Sequence, residues 1–277
     1  MGLRINSNIQ SMTAHRNMVT NLDSQKAVFE QLSSGSRINR SADDAAGLAI
    51  SEKLKSQIRS IRQASRNAND GVSLLQVAEG AMNEVSNILV RLRELSIQGA
   101  SDTIGDTERG FINKEVTQLK SEIDRIISTT EFNGMKLLDG KSPPLEFQVG
   151  TQNNPLLDRF LYDAPGLGLS SSILGIDGLS TETKMNSQQN IDMLDSAIEH
   201  LNSNRANLGA LQNRLQSTIN NLSVSKENLE AANSRIRDTD FAEASSELVK
   251  RNILAQANTS VLAQANSVPQ LALKLLG

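Results

Sequence analysis

Over most of its length this chain alternates apolar and polar positions with a helical period. From Leu54, apolar or small residues recur at Ile58, Ile61, Ser65, Ala68, Val72 and Leu75, then at Ala78, Met82, Val85, Leu89 and Leu92. Steps of three and four keep such a row on one helix face, and the three-residue step after Leu75 predicts a local slip of the stripe. Ser41, followed three residues later by Asp44, marks the start. That is the spacing at which a cap hydroxyl and an acidic side chain satisfy the free N–H groups of a first turn. Asp43 and Asp44 also suit the positive end of the helix dipole. The helix should end near Gly99. It is far longer than the ~12 residues usual in globular domains and needs partners along its length.

The flanking segments supply them. An earlier stripe runs through Ile5, Ile9, Met12, Val19, Leu22, Phe29 and Leu32, interrupted by Arg16 and Lys26, and Ser33-Ser34-Gly35-Ser36 reads as its stop. A third helix is expected from about Asp106 to Ser128, with Ile112, Val116, Leu119, Ile123 and Ile126 on one face. A seven-residue repeat then carries Ile191, Leu194, Ile198, Leu201, Arg205, Leu208, Gln212 and Leu215 onward through Leu222 to Ile236. A last helix follows from about Asp240, closing on an apolar tail that a lone chain cannot easily bury. Prolines stand only at 143, 144, 155, 165 and 269, so residues 1–142 and 166–268 contain none, as two long helical arms require.

The middle differs. Asn133-Gly134 is a hairpin-turn dipeptide. Met135–Leu138 and Leu145–Val149 read as short strands, and residues 163–172 are rich in Gly, Ser and Pro. The fold expected is mainly α: an elongated antiparallel helical bundle or coiled coil with a small β-hairpin cap in the middle of the chain. Terminal helices would occupy 1–40 and 238–277, and a rod-like helical domain 41–237, with its β-rich, loop-rich cap at about 129–185.

Composition narrows the function. Of 277 residues only 3% are aromatic, so the core must be built from aliphatic and small side chains. There is no cysteine, which removes disulfides and thiolate metal sites. A net charge of −3 argues against a general nucleic-acid partner, although residues 1–66 hold ten Lys/Arg against five Asp/Glu. No run is long enough for membrane insertion. The first residues lack the apolar core and cleavage site of a signal peptide, and Asn6 stands where myristoylation wants Ser or Thr.

Catalytic patterns fail on inspection. Asp139-Gly-Lys-Ser142 echoes a phosphate loop, but Met135 occupies the place of its first glycine. Gly166-Leu-Gly-Leu-Ser-Ser171 has Ser171 in place of the third glycine of a dinucleotide fingerprint. No His-Glu-x-x-His occurs, and His15 and His200 stand alone. Asp43-Asp44 is read more economically as a cap than as a carboxylate pair. Asn39, Asn221 and Asn258 begin glycosylation-like triplets beside or within helices, which leaves Ser170–Ser172 as the better modification candidates. No enzyme and no cofactor are expected.

Several stretches resemble bacterial flagellin. They are Leu32-Ser-Ser-Gly-Ser-Arg-Ile-Asn39, Ala42-Asp-Asp-Ala-Ala-Gly-Leu-Ala-Ile50, Arg91-Leu-Arg-Glu-Leu95, Glu131-Phe-Asn-Gly-Met-Lys-Leu137, Arg235-Ile-Arg-Asp-Thr-Asp-Phe-Ala242 and Gln264-Ala-Asn-Ser-Val-Pro-Gln270. The resemblance covers roughly 1–150 and 187–277, and the short centre points to a form without large outer domains. It implies a structural subunit that polymerises through its terminal helices, the inner coiled-coil layer, into the filament used for swimming. A hook–filament junction protein of the same family is the alternative. It also implies type III export without cleavage and a place in the bacterial flagellum outside the cell, with a sheathed or periplasmic flagellum equally compatible. Implied partners are further copies of the chain, an export chaperone, the filament cap and the junction proteins, with other flagellins and the vertebrate Toll-like receptor for flagellin as further candidates. Arg91, Leu95 and Glu115 match the shell-contact and receptor motif. Val261, Leu262, Val268, Leu271, Leu273, Leu275 and Leu276 match the C-terminal chaperone and polymer-core contact.

Overall fold

The computed structural model describes the backbone of residues 7–274 and the side chains of residues 7–267. Five helices dominate: α1 (Ile9–Ser34), α2 (Ala45–Gly99), α3 (Asp106–Thr129), α4 (Lys184–Arg237) and α5 (Phe241–Lys274). Four short strands lie between α3 and α4: β1 (Glu131–Phe132), β2 (Met135–Lys136), β3 (Leu145–Gln148) and β4 (Arg159–Tyr162). The chain divides into two compact units, one of residues 1–58 with 227–277 and one of residues 59–226. The mainly α class with small antiparallel hairpins is therefore the observed one.

In the middle unit α2 carries an unbroken heptad row. Ile61, Ala64, Ala68, Gly71, Leu75, Ala78, Met82, Val85, Leu89, Leu92, Ser96 and Gly99 are all buried, in regular steps of three and four. The slip expected after Leu75 does not exist. The buried places belong to Ala64 and Gly71, whereas Ser65 and Val72 are only half-buried. Gly71 lets α4 come close: a Cβ on it would lie 3.3 Å from Leu215 Cδ1 and 3.4 Å from the Phe147 ring of β3, tighter than ordinary contact. At the other end a Cβ on Gly99 would lie 2.8 Å from Ser187 Oγ. These two pairs show α2 and α4 running antiparallel.

The leucine row of α4 is buried at Leu194, Leu201, Leu208 and Leu215. Its companion row is Asn190, Ala197 and Asn204, with Leu211 half-buried, one residue before the expected Ile191, Ile198, Arg205 and Gln212. The shift leaves Arg205 and Gln212 half-buried at the edge of the seam instead of inside it. Leu222 is half-buried.

At the α2–α3 turn Arg109 is buried and its guanidinium donates to Gly99 O, Ser101 O and Asp106 Oδ1, each at 2.9 Å. One side chain thus satisfies two main-chain carbonyls left open at the helix end.

The segment expected as a cap is folded into the same core. Asn133 (φ 50°) and Gly134 (φ 79°) form the two-residue turn between β1 and β2, which pair Glu131 with Lys136. β3 pairs with β4 from Leu145↔Tyr162 to Gln148↔Arg159, and Tyr162 Oη donates to Leu137 O at 2.8 Å. Burial pushes the Tyr162 phenol above its ordinary range. Leu137, Leu138, Leu169 and Ile176 join the helix core. The Ser170–Ser172 stretch is correspondingly not a free loop: Ser171 is buried, and its N–H and Oγ donate to Asp124 at 3.1 and 3.0 Å.

In the terminal unit α1 and α5 pair antiparallel. Asn8 Nδ2 donates to Ala265 O at 2.8 Å and Asn21 Nδ2 to Arg251 O at 3.0 Å. Gly35, left-handed at φ 69°, ends α1. Beyond it Arg37 N–H donates to Arg237 O at 2.6 Å and Thr239 N–H to Gly35 O at 3.1 Å, clipping the loop to the α4–α5 junction.

Candidate assembly surfaces

The α1–α5 seam mixes small and polar side chains with a few larger apolar ones. On α1 the covered row is Ser11, Ala14, Met18, Asn21, Gln25, Val28 and Leu32, of which only Ala14 and Asn21 are fully buried. On α5 it is Ala244, Leu248, Arg251, Ala255, Asn258, Leu262 and Ala265. The stripe that the sequence offers as α1's packing face lies elsewhere. Ile9, Met12, Val19, Leu22 and Phe29 are all exposed, Met12 to 70%. Phe241, Val249, Ile253 and Val261 are exposed on α5 as well. Leu22, Phe29 and Leu248 line an open groove between the two helices with Gln25, Lys26 and Asn252. Large apolar rows left in water on a paired helix mark a surface that another chain covers.

The capping residues separate. Asp44 directly precedes α2, and its Oδ1 accepts from Gly47 N–H at 2.8 Å. Ser41 belongs to the turn before it, too early for its hydroxyl to reach the first helical turn. Asp43 shapes that turn by accepting from the N–H groups of Asn39 and Arg40 at 3.0 and 2.9 Å, bonds that hold its carboxyl below the ordinary range.

Arg91 and Glu115 meet on the surface of the middle unit: Arg91 Nη2 lies 2.9 Å from Glu115 Oε1 and Nη1 3.1 Å from Glu94 Oε2. Glu115 first, then Glu94, holds the guanidinium pKa above its ordinary value. Leu95 does not join them. It is 2% exposed, part of the core beneath, and presents no recognition surface. Next to Arg91 along α2, Arg93 reaches Asp195 of α4 with its Nε 2.6 Å from Oδ1, which holds that carboxyl down.

Of the C-terminal residues, Val261 is exposed and Leu262 half-buried on the row facing α1. Val268, Leu271 and Leu273 belong to α5, but their side chains, and all of Leu275 and Leu276, lie outside the described residues. One surface was not foreseen. The β3–β4 hairpin ends in a loop whose Leu156 and Leu157 are 92% and 79% exposed. The signal for it was the Leu-Leu pair directly after Asn-Asn-Pro, a turn sequence with no polar cover.

Among the described residues no group of three His, Cys, Asp or Glu side chains is placed to hold a metal ion, and no helix is long and apolar enough to cross a membrane. The geometry is that of a helical chain with large apolar side chains exposed along both terminal helices. Comparison with known proteins gives the same class a family. The bacterial flagellin N-terminal helical region matches residues 5–142 and the C-terminal helical region residues 191–276. A flagellin of Halalkalibacterium halodurans is 46% identical over 272 residues, covering 98% of this chain and 99% of its own. A flagellin of Bacillus subtilis is 43% identical, covering 99% and 100%, and a flagellar filament 33 kDa core protein of Treponema phagedenis is 41% identical, covering 98% and 99%.

Among solved structures, Bacillus cereus flagellin superposes with a TM-score of 0.51 at 32% identity over 57% of this chain and 88% of its own. A putative hook-associated protein of Vibrio parahaemolyticus reaches a TM-score of 0.58 at 14% identity over 71% of this chain and all of its own, a likeness of fold alone. The chain belongs to the bacterial flagellin family and is a structural subunit that polymerises with itself into the flagellar filament. Identities of 43–46% to flagellins over nearly the whole chain support the filament subunit, and the junction alternative is no better supported.

Proposed function

We propose that the terminal helices, residues 1–40 and 238–277, are the polymerising inner layer of the filament and that residues 41–237 form the shell around it. The observation that carries this is the outward position of Ile9, Met12, Val19, Leu22 and Phe29. Met18, Val28 and Leu32 serve the row that faces α5, and these five further large apolar side chains of α1 are left for other subunits. The chain acts without catalysis, as a mechanical element of swimming motility, and is carried outside the cell through the flagellar export channel.

Two further partners fit this reading. An export chaperone would cover the α5 rows before assembly, with Val261 and Leu262 among its contacts and the five residues from Val268 to Leu276 extending them. A receptor for monomeric flagellin would read the Arg91–Glu115 pair, Leu95 serving only to pack α2 beneath it.

Met12→Asp with Val19→Asp tests the central claim, because neither residue belongs to the α1–α5 row or to the groove that Leu22 and Phe29 line. Seeded growth followed by electron microscopy should give filaments from the parent chain and none from the double variant, at unchanged helicity. Filaments of parental length from the variant would remove α1's outward face from the polymer contact.

A further inference from the structure

Between α2 and α4 of the middle unit lies an open concavity of about 150 Å³. Ile61 and Leu222 are its apolar lining. Ser65 and Arg66 of α2 face Ser223 and Lys226 of α4 across it, with Arg62 completing the α2 wall. Arg62 and Arg66, like Leu222 and Lys226, are four residues apart and so share a helix face. Every charged side chain on the lining is a cation.

Neutral groups hold Arg66 in place. Its Nε and Nη2 both donate to Gln63 Oε1, the former at 3.2 Å. Gln63 Nε2 in turn donates to Asn67 Oδ1 at 2.8 Å, and Asn67 Nδ2 to Gln148 O of β3 at 2.9 Å. This chain of amides orients the guanidinium without neutralising it. Lys226 is half-buried. An ammonium partly withdrawn from water beside a guanidinium is stabilised by an anion that both can bond.

We propose that the concavity binds a phosphate group between Arg66 and Lys226, with the Ser65 and Ser223 hydroxyls as further donors. A carboxylate offers two oxygens in one plane, whereas these donors come from two facing walls and suit the oxygens of a tetrahedral anion. At about 30 Å³ per water the space holds roughly five waters, room for one such anion with part of its hydration. It falls well short of the ~300 Å³ at which pockets for larger organic ligands begin. The site does not rest on the self-assembly reading.

Isothermal titration of the full chain at low ionic strength tests the site, with inorganic phosphate and polyphosphate as separate probes. Saturable binding is expected, at least tenfold weaker in Arg66→Gln with Lys226→Gln at unchanged helicity. Lys114→Gln with Lys141→Gln removes the same charge elsewhere in the middle unit and should leave the affinity at the parental value. Saturation by inorganic phosphate assigns the site to the free ion, and saturation by polyphosphate alone to a phosphate group carried on a larger molecule. Should the pocket variant lose helicity, Ser223→Ala at its exposed position serves in its place, with about threefold weaker binding expected and parental affinity overturning the site. No saturable binding of either probe, or equal affinity in the two double variants, overturns it as well.

Discussion

Gly71 of α2 lies so close to Leu215 of α4 that even a methyl group there would stand 3.3 Å from the leucine Cδ1. The contact sets how near the two helices approach. Gly71→Val should overpack this point and lower the stability of the middle unit by about 1–3 kcal/mol in urea unfolding. An unchanged midpoint would mean that α4 moves away freely, and the seam is not close-packed there.

The revised seam separates Leu208 from Leu222. Leu208 is fully buried, so Leu208→Ala should cost about 2–5 kcal/mol, whereas Leu222→Ala, at a half-buried site, should cost clearly less. Equal losses in thermal unfolding would return the seam to its sequence-based register.

The two cap candidates are equally distinct. Asp44→Ala should lose about 1 kcal/mol, because Gly47 N–H loses its acceptor, while Ser41→Ala should change stability by less than about 0.5 kcal/mol. A larger effect at Ser41 would mean that the helix begins earlier in solution.

Acid should weaken both units. Asp195 is held below its ordinary 3.8 by Arg93, and Glu52 below 4.5 by Arg237. As pH falls, the unfolded chain therefore takes up protons first. The stabilisation is present above these ordinary values and is lost as pH drops through the lower folded ones. Unfolding followed from about pH 6 to pH 3 should show stability falling mainly below about pH 4.5. Arg93→Gln should flatten part of that fall. Both groups are exposed, so the change stays small.

Periodicity alone disclosed the five helices, the proline-free arms and the Asn133-Gly134 turn, because each is a local rule written in local residues. What it mistook were choices settled by a neighbour. Gly71 and Ala64 look like gaps in an apolar stripe until α4 approaches, and then they are the positions that fit. Asn190 and Asn204 look like surface residues, yet Asn190 Nδ2 donates to Ser180 O at 2.8 Å inside the seam. β1 and β4 were missed since Glu131-Phe132 is too short to show alternation and Arg159–Tyr162 follows directly on a loop. The assembly surface was half legible. The α1 stripe was visible, but a hydrophobicity pattern shows that a face wants cover and not whose side chains provide it.

Asn21 is buried in the α1–α5 seam with its Nδ2 on Arg251 O and no hydrogen-bond partner for its Oδ1. Met18, Val28, Leu32, Leu248 and Leu262 give the seam its adhesion, and the asparagine acts as a ruler that fixes how far one helix is advanced along the other. A buried side chain that leaves one oxygen without a partner to hold this register makes alignment, more than adhesion, the property the position supplies.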